Sequence, residues 1–428
     1  MTFWQKKSFD GAEIAAGAAA AAPLLAGFLV VPSLLFEAGM NFMGACLAYG
    51  ITALLGTLVL AAHRLPLVAC PSAAVSAWLV YVVILAKGLG WQQLLMVFVV
   101  TAIAGFVLLL SGTAEKLLEA VPYPVRRMLP GGLGLMLVVY GLGESRILTG
   151  STWSLTMLGD FSDPLAFYGF LGIVIMAVLL AMRIRTALFW SMIAVAILSL
   201  AEGFWAVPDA PFFEPEGLDR TAFMADFGTI LTDGKTALLA LGTALTLLLV
   251  LLIESWGTLA AAVPDGDASK RNRLLSELFG VSCFGALLGS VPLSLSPLSL
   301  TSKFAGGKGR TAAFTPAVFL VLACFAEPFI KALGEFPALM VPVLVGSGIL
   351  CLRQSLDGSW RDAAWPDLFS AVCVLLLPAL SWNLTAGIGA GVISWVILQP
   401  FAGGKVKVTR AQQFLAAVFL AYFLFAAV

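Results

Sequence analysis

Two stretches decide how this chain folds: Leu65-Pro66-Leu67-Val68-Ala69-Cys70-Pro71-Ser72-Ala73-Ala74-Val75-Ser76 and Val291-Pro292-Leu293-Ser294-Leu295-Ser296-Pro297-Leu298-Ser299-Leu300-Thr301-Ser302. Both read apolar-Pro-Leu-x-x-x-Pro, and they lie 226 residues apart. Pro66 and Pro292 suit extended backbone, whereas Pro71 and Pro297 suit the first position of a helix, where a missing N–H costs nothing. Each stretch therefore predicts a short strand running into a half-helix. A strand leaves backbone N–H and C=O groups that hydrocarbon cannot satisfy, so it must be covered by protein or line a cavity. Two half-helices that begin this way point their N-terminal dipoles at each other near the middle of a membrane and make a polar site there. The competing reading is a pair of proline-kinked helices. The hydroxyls of Ser72, Ser76, Ser296, Ser299, Thr301 and Ser302 argue against it, because packing needs none of them.

The rest of the chain supplies the membrane. Of its 428 residues, 61% are apolar and 11% are charged. The mean hydropathy is +1.01, and a water-soluble domain of this length would need far more polar surface. Apolar segments recur near 10–31, 41–62, 73–87, 91–112, 129–145, 165–183, 185–204, 236–262, 274–290, 298–306, 311–333, 337–353, 367–382, 384–400 and 409–428, which is the pattern of a many-span membrane protein. The segments opening at 73 and 298 are short, and each follows one of the two proline stretches. They are the third and the tenth, an odd number of spans apart, so they take opposite orientations. Asp10-Gly11 before the first helix and Asp233-Gly234 before the eighth echo the same repeat. The chain divides into a first inverted repeat over 1–204, an acidic loop over 205–235, a second repeat over 236–400, and a tail over 401–428 with one more apolar helix.

Charge orients this threading. With the N-terminus inside, Lys6, Lys7 and the turns at 63–64, 113–128, 183–185, 263–273, 307–310, 353–362 and 401–410 hold 18 of the 24 Lys and Arg residues. That bias follows the positive-inside rule and sets the loop 205–235 outside. The run from Ala12 to Val31 is too long for a signal peptide's apolar region and contains Glu13, so it reads as a retained first helix. A bacterial inner membrane with a cytoplasmic N-terminus is the expected setting.

Other classes of function fare poorly. A formal net charge of zero gives no field that would draw a nucleic acid. Cys46, Cys70, Cys283, Cys324, Cys351 and Cys373 show no CxxC or Cys/His pairing, so no disulfide framework, metal or cofactor is expected. His63, the one histidine, sits at a cytoplasmic turn with no acidic neighbour in sequence. A membrane-embedded enzyme would lack its nucleophile–base pair, and the chain is read as not an enzyme.

One charge stands out inside the membrane. Leu251-Leu252-Ile253-Glu254-Ser255-Trp256-Gly257-Thr258-Leu259 places a carboxyl deep in an apolar helix, where it must be paired, protonated or facing water. Glu254 and Thr258 are four residues apart and share a helix face. A carboxyl there can hydrogen-bond a ligand N–H and carry a coupling proton. The bland alternative is a structural carboxyl tied to a neighbouring helix. Glu13 and Glu37 read as solvated or capping groups, with Glu37 in the outer loop. Lys303 either snorkels toward the cytoplasm or lies close enough to attract an anion.

At these residues the chain resembles the nucleobase–cation symporter-2 family, in particular its guanine/hypoxanthine (azaguanine-type) permease branch. The resemblance is carried by Glu13-Ile14-Ala15-Ala16-Gly17 with Val31-Pro32-Ser33-Leu34-Leu35, by Ile253-Glu254-Ser255-Trp256-Gly257-Thr258-Leu259, and by Ala305-Gly306-Gly307-Lys308-Gly309-Arg310-Thr311. It implies an all-α, seven-plus-seven inverted-repeat fold with core and gate domains, the gate helices also forming a homodimer contact. It implies a substrate held between half-helices three and ten and by the helix-eight carboxyl, here Glu254. Around that carboxyl the expected binding set is Thr258, Ser72, Ala73, Ser76, Ser296, Leu298 and Ser299. Two departures concern that site. Leu298 stands where the family carries a carboxyl or amide, and Pro71-Ser72-Ala73-Ala74-Val75-Ser76 stands where it carries Pro-Gly-Met-Gly-Leu-Asn.

The expectation is a secondary active transporter of a small nucleobase-like solute such as a purine. It would be driven by protons, or by Na⁺, through Glu254, with the core moving as an elevator against the gate. The alternative on the same architecture is a carrier of small anions, as in the sulfate-permease fold, drawn by two helix N-termini, hydroxyls and Lys303.

Overall fold

The computed structural model describes residues 11–184, 186–210, 212, 215–228, 234–263, 268–295, 299, 302, 307–308, 310–356, 360–402 and 407–425. Most of the expected tenth segment, including Ser296, Leu298 and Lys303, lies outside the described residues, as do Asp10 and Asp233.

The described chain is almost wholly helical. The first group of helices is α1 (Gly11–Glu37), α2 (Phe42–Ala62), the short α3 (Ala73–Trp78), α4 (Trp91–Leu110), α5 (Ala114–Ala120), α6 (Tyr123–Glu144), α7 (Pro164–Ala181) and α8 (Ala187–Ala201). The second is α9 (Gly234–Ala262), α10 (Ala268–Leu288), α11 (Arg310–Phe325), α12 (Glu327–Gly334), α13 (Val341–Ser355), α14 (Trp365–Ser381), α15 (Leu384–Leu398) and α16 (Arg410–Phe425). Among the described residues, 8 helices are long and apolar enough to cross a membrane, or 9 if the bent pair α11 and α12 is one span. Among the described residues, one small sheet pairs Leu148–Thr149 with Met157–Leu158.

Lengths are uneven: α1 has 27 residues and α9 has 29, whereas α8, α13 and α15 have 15 each. The helices sort into two packed groups. In one, α10 packs on α4 and α2, and α11 packs on α1 and α2; in the other, α6 packs on α13 and α14, and α14 packs on α15. The tail helix α16 lies along α15 and α9. Gly242 of α9 makes room there for the Tyr422 ring, which a β-carbon would strike.

Side-chain caps explain several of the helix starts. Asn41 accepts the Gly44 N–H at 2.9 Å to start α2, and Asn383 accepts the Ala386 N–H at 3.0 Å to start α15. Asp163 accepts the Leu165 N–H at 3.0 Å at the start of α7. Each satisfies an amide that the first turn leaves without an intrahelical partner. Glu13 caps at long range: its carboxylate accepts the N–H groups of Lys308 at 3.1 Å and Ala312 at 3.3 Å, at the head of α11.

Four local expectations are corrected. The stretch 311–333 is not one helix: it breaks at Ala326 and turns by 92°, because Pro328 cannot donate to the preceding turn and disfavours helix in the residue before it. Helix α6 begins at Tyr123 rather than 129, with Pro124 in its first turn. Glu37 is the last residue of α1 rather than a loop residue. His63 does have an acidic partner, Glu277 of α10, at 2.8 Å.

Candidate functional site

The two proline stretches meet. Cys70 donates its N–H to the Ser294 carbonyl at 3.3 Å, and Ser294 donates back to the Cys70 carbonyl at 3.1 Å, forming an isolated antiparallel bridge. Hydroxyls of neighbouring helices answer further backbone groups of these stretches. Ser282 Oγ accepts the Leu293 N–H at 3.0 Å, and Ser255 Oγ accepts the Leu295 N–H at 3.1 Å. Thr57 Oγ1 donates to the Ala69 carbonyl at 3.5 Å. Extended chain is thus held inside a helical bundle, by hydroxyls from neighbouring helices and by its own counterpart. The site was expected to offer unpaired strand backbone; here the described strand amides at 293–295 are already occupied.

Beyond the bridge, Pro71 leads into α3. The helix then winds more loosely, as a π-helix over Leu79–Ala86, a form that recurs at functional sites.

A cleft lies against this junction. The space inside it that a water-sized sphere can reach is about 50 Å³, below the several hundred Å³ of an occupied small-molecule site, so a solute needs its two walls to part. One wall comes from α1 around Pro23 and Gly27, from Cys70 to Ala73, and from Glu254 and Ser299. The facing wall comes from α6 at Leu133, Gly134 and Leu137 and from α13 at Val343, Leu344, Ser347 and Cys351.

Of the expected site residues, Glu254, Ser72, Ala73 and Ser299 line this cleft. Ser76 is fully buried, and its hydroxyl donates to the Ser72 carbonyl at 2.9 Å, so it closes its own turn. Thr258 is buried outside the lining, with its hydroxyl unpartnered. Glu254 is 2% exposed. Its Oε2 has no partner. A buried carboxyl oxygen without a donor is costly unless a ligand or proton answers it.

The sequence reading named no residue of the facing wall. Ser347 is 2% exposed and its hydroxyl, too, has no partner. The available signal was Gly346-Ser347-Gly348, a hydroxyl between two glycines where helices approach closely. Cys70 was read as packing; it lines the cleft.

Comparison with known proteins agrees on both sequence and fold. No family model matches the chain. It is 26% identical over 391 residues to the guanine/hypoxanthine permease PbuO of Bacillus subtilis, covering 88% of each chain. It is 23% identical over 386 residues to the adenine permease AdeQ of Escherichia coli, covering 87% of this chain and 84% of that one. Among solved structures, the transmembrane domain of the cyanobacterial bicarbonate transporter BicA matches with a TM-score of 0.61 at 14% identity, covering 89% of this chain and 98% of that one. The murine anion transporter Slc26a9 in its inward-facing state matches with a TM-score of 0.60 at 12% identity, covering 93% of this chain and 69% of that one. The chain is a many-span membrane protein with the fold of these transporters, and its sequence resembles the nucleobase–cation symporter-2 permeases over about nine-tenths of its length.

Proposed function

We propose that this protein is a proton-coupled transporter of a small nucleobase-like solute such as a purine, bound in the cleft between the Cys70–Ser294 bridge, Glu254 and the facing wall of α6 and α13. The observation that carries this reading is the Glu254 carboxyl, buried in a mainly apolar cleft with one oxygen unpartnered. Such an oxygen suits a ring N–H of a flat heterocycle, and the group can exchange a proton when the cleft is open. The relatives named for guanine, hypoxanthine and adenine support the same substrate class.

The site is read as Glu254, Ser72, Ala73 and Ser299, with Ser296 and Leu298 contributed by the tenth segment. Thr258 and Ser76 support it from behind. The full architecture is read as seven plus seven spans. A core of α1–α4, α9–α11 and the tenth segment moves against a gate of α6–α8 and α13–α15, and the tail helix is an addition. The two packed groups of helices support that division. The bias of Lys and Arg supports a cytoplasmic N-terminus in a bacterial inner membrane. Exposed Phe167, Phe170, Phe369 and Val372 on α7 and α14 suit lipid or a gate-to-gate homodimer.

The anion alternative draws support from the solved structures of this fold. Against it, the cleft offers a carboxyl, and no lysine or arginine is among its described lining residues. Uptake of radiolabelled hypoxanthine, guanine, adenine and uracil into proteoliposomes under an imposed pH gradient tests the proposal. Accumulation of a nucleobase that excess sulfate and bicarbonate do not compete is expected. Failure of every nucleobase at any gradient rejects it.

A further inference from the structure

Two polar atoms in the cleft have no partner, and they sit on opposite walls. Among the described lining residues, the buried side-chain oxygens left unbonded are Glu254 Oε2 and Ser347 Oγ. We infer that Ser347 is a substrate-binding residue on the α13 wall, and that the cleft selects solutes with hydrogen-bonding groups on two opposite edges. This inference rests on the transport reading above.

Buried hydroxyls in these helices fall into two groups: some fold back on their own backbone, while those of Thr101, Thr246, Thr258, Ser347, Ser355 and Thr385 have no partner, and of this second group Ser347 lines the cleft. Thr52 donates to the Ala48 carbonyl at 2.6 Å, Ser199 to Val195 at 2.7 Å, Thr243 to Leu239 at 2.8 Å and Ser282 to Leu278 at 3.0 Å. Folding back on the carbonyl four residues earlier is the usual way to bury a hydroxyl in a helix without loss. Ser347 makes no such bond. A hydroxyl withheld from its own backbone and turned into a cleft is available to a ligand.

The backbone explains how it reaches that position. Gly134 of α6 and Gly348 of α13 lie in direct backbone contact, each leaving no room for a β-carbon on the other. This close approach seats α13 on α6 along Leu344, Gly348 and Cys351, and Val343, Leu344, Ser347 and Cys351 line the cleft beside that contact. Those positions recur at three- and four-residue spacing, one stripe of a helix.

A solute that satisfies both walls needs a donor for the carboxyl on one edge and a hydroxyl partner on the other. A fused bicyclic base has this pattern, with amide-like N–H groups on its six-membered ring and ring nitrogens on its five-membered ring. A small oxyanion presents acceptors all round and would meet the carboxyl with like charge.

The test compares Ser347→Ala and Ser347→Thr with wild type in proteoliposomes. Hypoxanthine and its 7-deaza and 9-deaza analogues compete against the labelled base. For Ser347→Ala the inhibition constant of hypoxanthine is expected to rise about tenfold, the effect of one lost buried hydrogen bond. The rise should vanish for the analogue that lacks the contacted nitrogen, and Ser347→Thr should restore most of the affinity. An equal loss for all three ligands, or no loss at all, overturns the inference while wild-type uptake leaves the transport reading standing. Absence of wild-type uptake removes both. Melting temperatures within a few degrees of wild type confirm that the variants are folded.

Discussion

Gly134 and Gly348 hold α6 and α13 at backbone contact: a β-carbon on either glycine would run into the carbonyl oxygen of the other. The contact forms one edge of the cleft, so its geometry sets both stability and the position of Ser347. Gly348→Ala is expected to destabilise the protein by about 1–3 kcal/mol, the usual effect of overpacking. Gly143→Ala, in the same α6 with nothing within 4 Å of the added carbon, should be neutral or stabilise by up to about 1 kcal/mol. Thermal melts in one detergent compare the two, and equal melting temperatures would contradict the contact.

The Cys70–Ser294 bridge depends on backbone rather than side chain. Cys70→Pro removes the N–H that Ser294 accepts and leaves a buried carbonyl short of a donor, at about 1–3 kcal/mol. Cys70→Ala keeps the bridge and loses only the thiol. Uptake is expected to be abolished by proline and largely retained by alanine. Similar activities would mean that the bridge does not shape the site.

Glu254→Gln keeps the size of the side chain and removes its ability to exchange a proton. Accumulation driven by a pH gradient should fall ten- to a hundredfold, in line with about 1–3 kcal/mol for one mismatched buried hydrogen bond, and lose its dependence on the gradient. Retained gradient-driven accumulation would remove Glu254 from coupling.

His63 and Glu277 form a surface pair, with side chains 43% and 36% exposed. Such pairs contribute below about 1 kcal/mol. His63→Ala should leave nucleobase uptake within twofold of wild type and the melting temperature nearly unchanged. Loss of all activity would reopen the enzyme reading.

Asp163 carries a pH dependence outside the spans. The Leu165 N–H, and after it the Arg146 guanidinium at 2.9 Å, hold its carboxyl below the usual carboxylate range. Because the folded value is depressed, the stabilisation is present above the unfolded value of about 3.9. It is lost as pH falls through the folded value. Asp163→Ala should cost about 0.5–2 kcal/mol at neutral pH, as a lost helix cap does. The difference from wild type should shrink in melts at acidic pH; a constant gap from neutral to strongly acidic pH would rule out the charged cap.

What could be read from the chain follows from how local the chemistry is. Pro66, Pro71 and Pro292 act on their own backbone, so the two extended stretches were legible in the sequence. Glu254 was legible because a carboxyl within Leu251–Leu259 contrasts with everything around it. Ser347 was not, since a serine between glycines reads as small-residue helix packing, and only the facing helix turns it into a site. The His63–Glu277 pair spans 214 residues, a separation no motif encodes. The break before Glu327-Pro328 was signalled by the proline but masked by the apolar run on either side.

The spread in helix length has a consequence for the surrounding lipid. At 1.5 Å per residue, α1 and α9 reach about 40 Å while α8 reaches about 22 Å, against a hydrocarbon layer of about 30 Å. Long helices accommodate by tilting, and short ones by drawing the two leaflets together. The annulus around this protein is therefore uneven in depth, and acyl-chain length becomes a variable of its energetics alongside solute and pH.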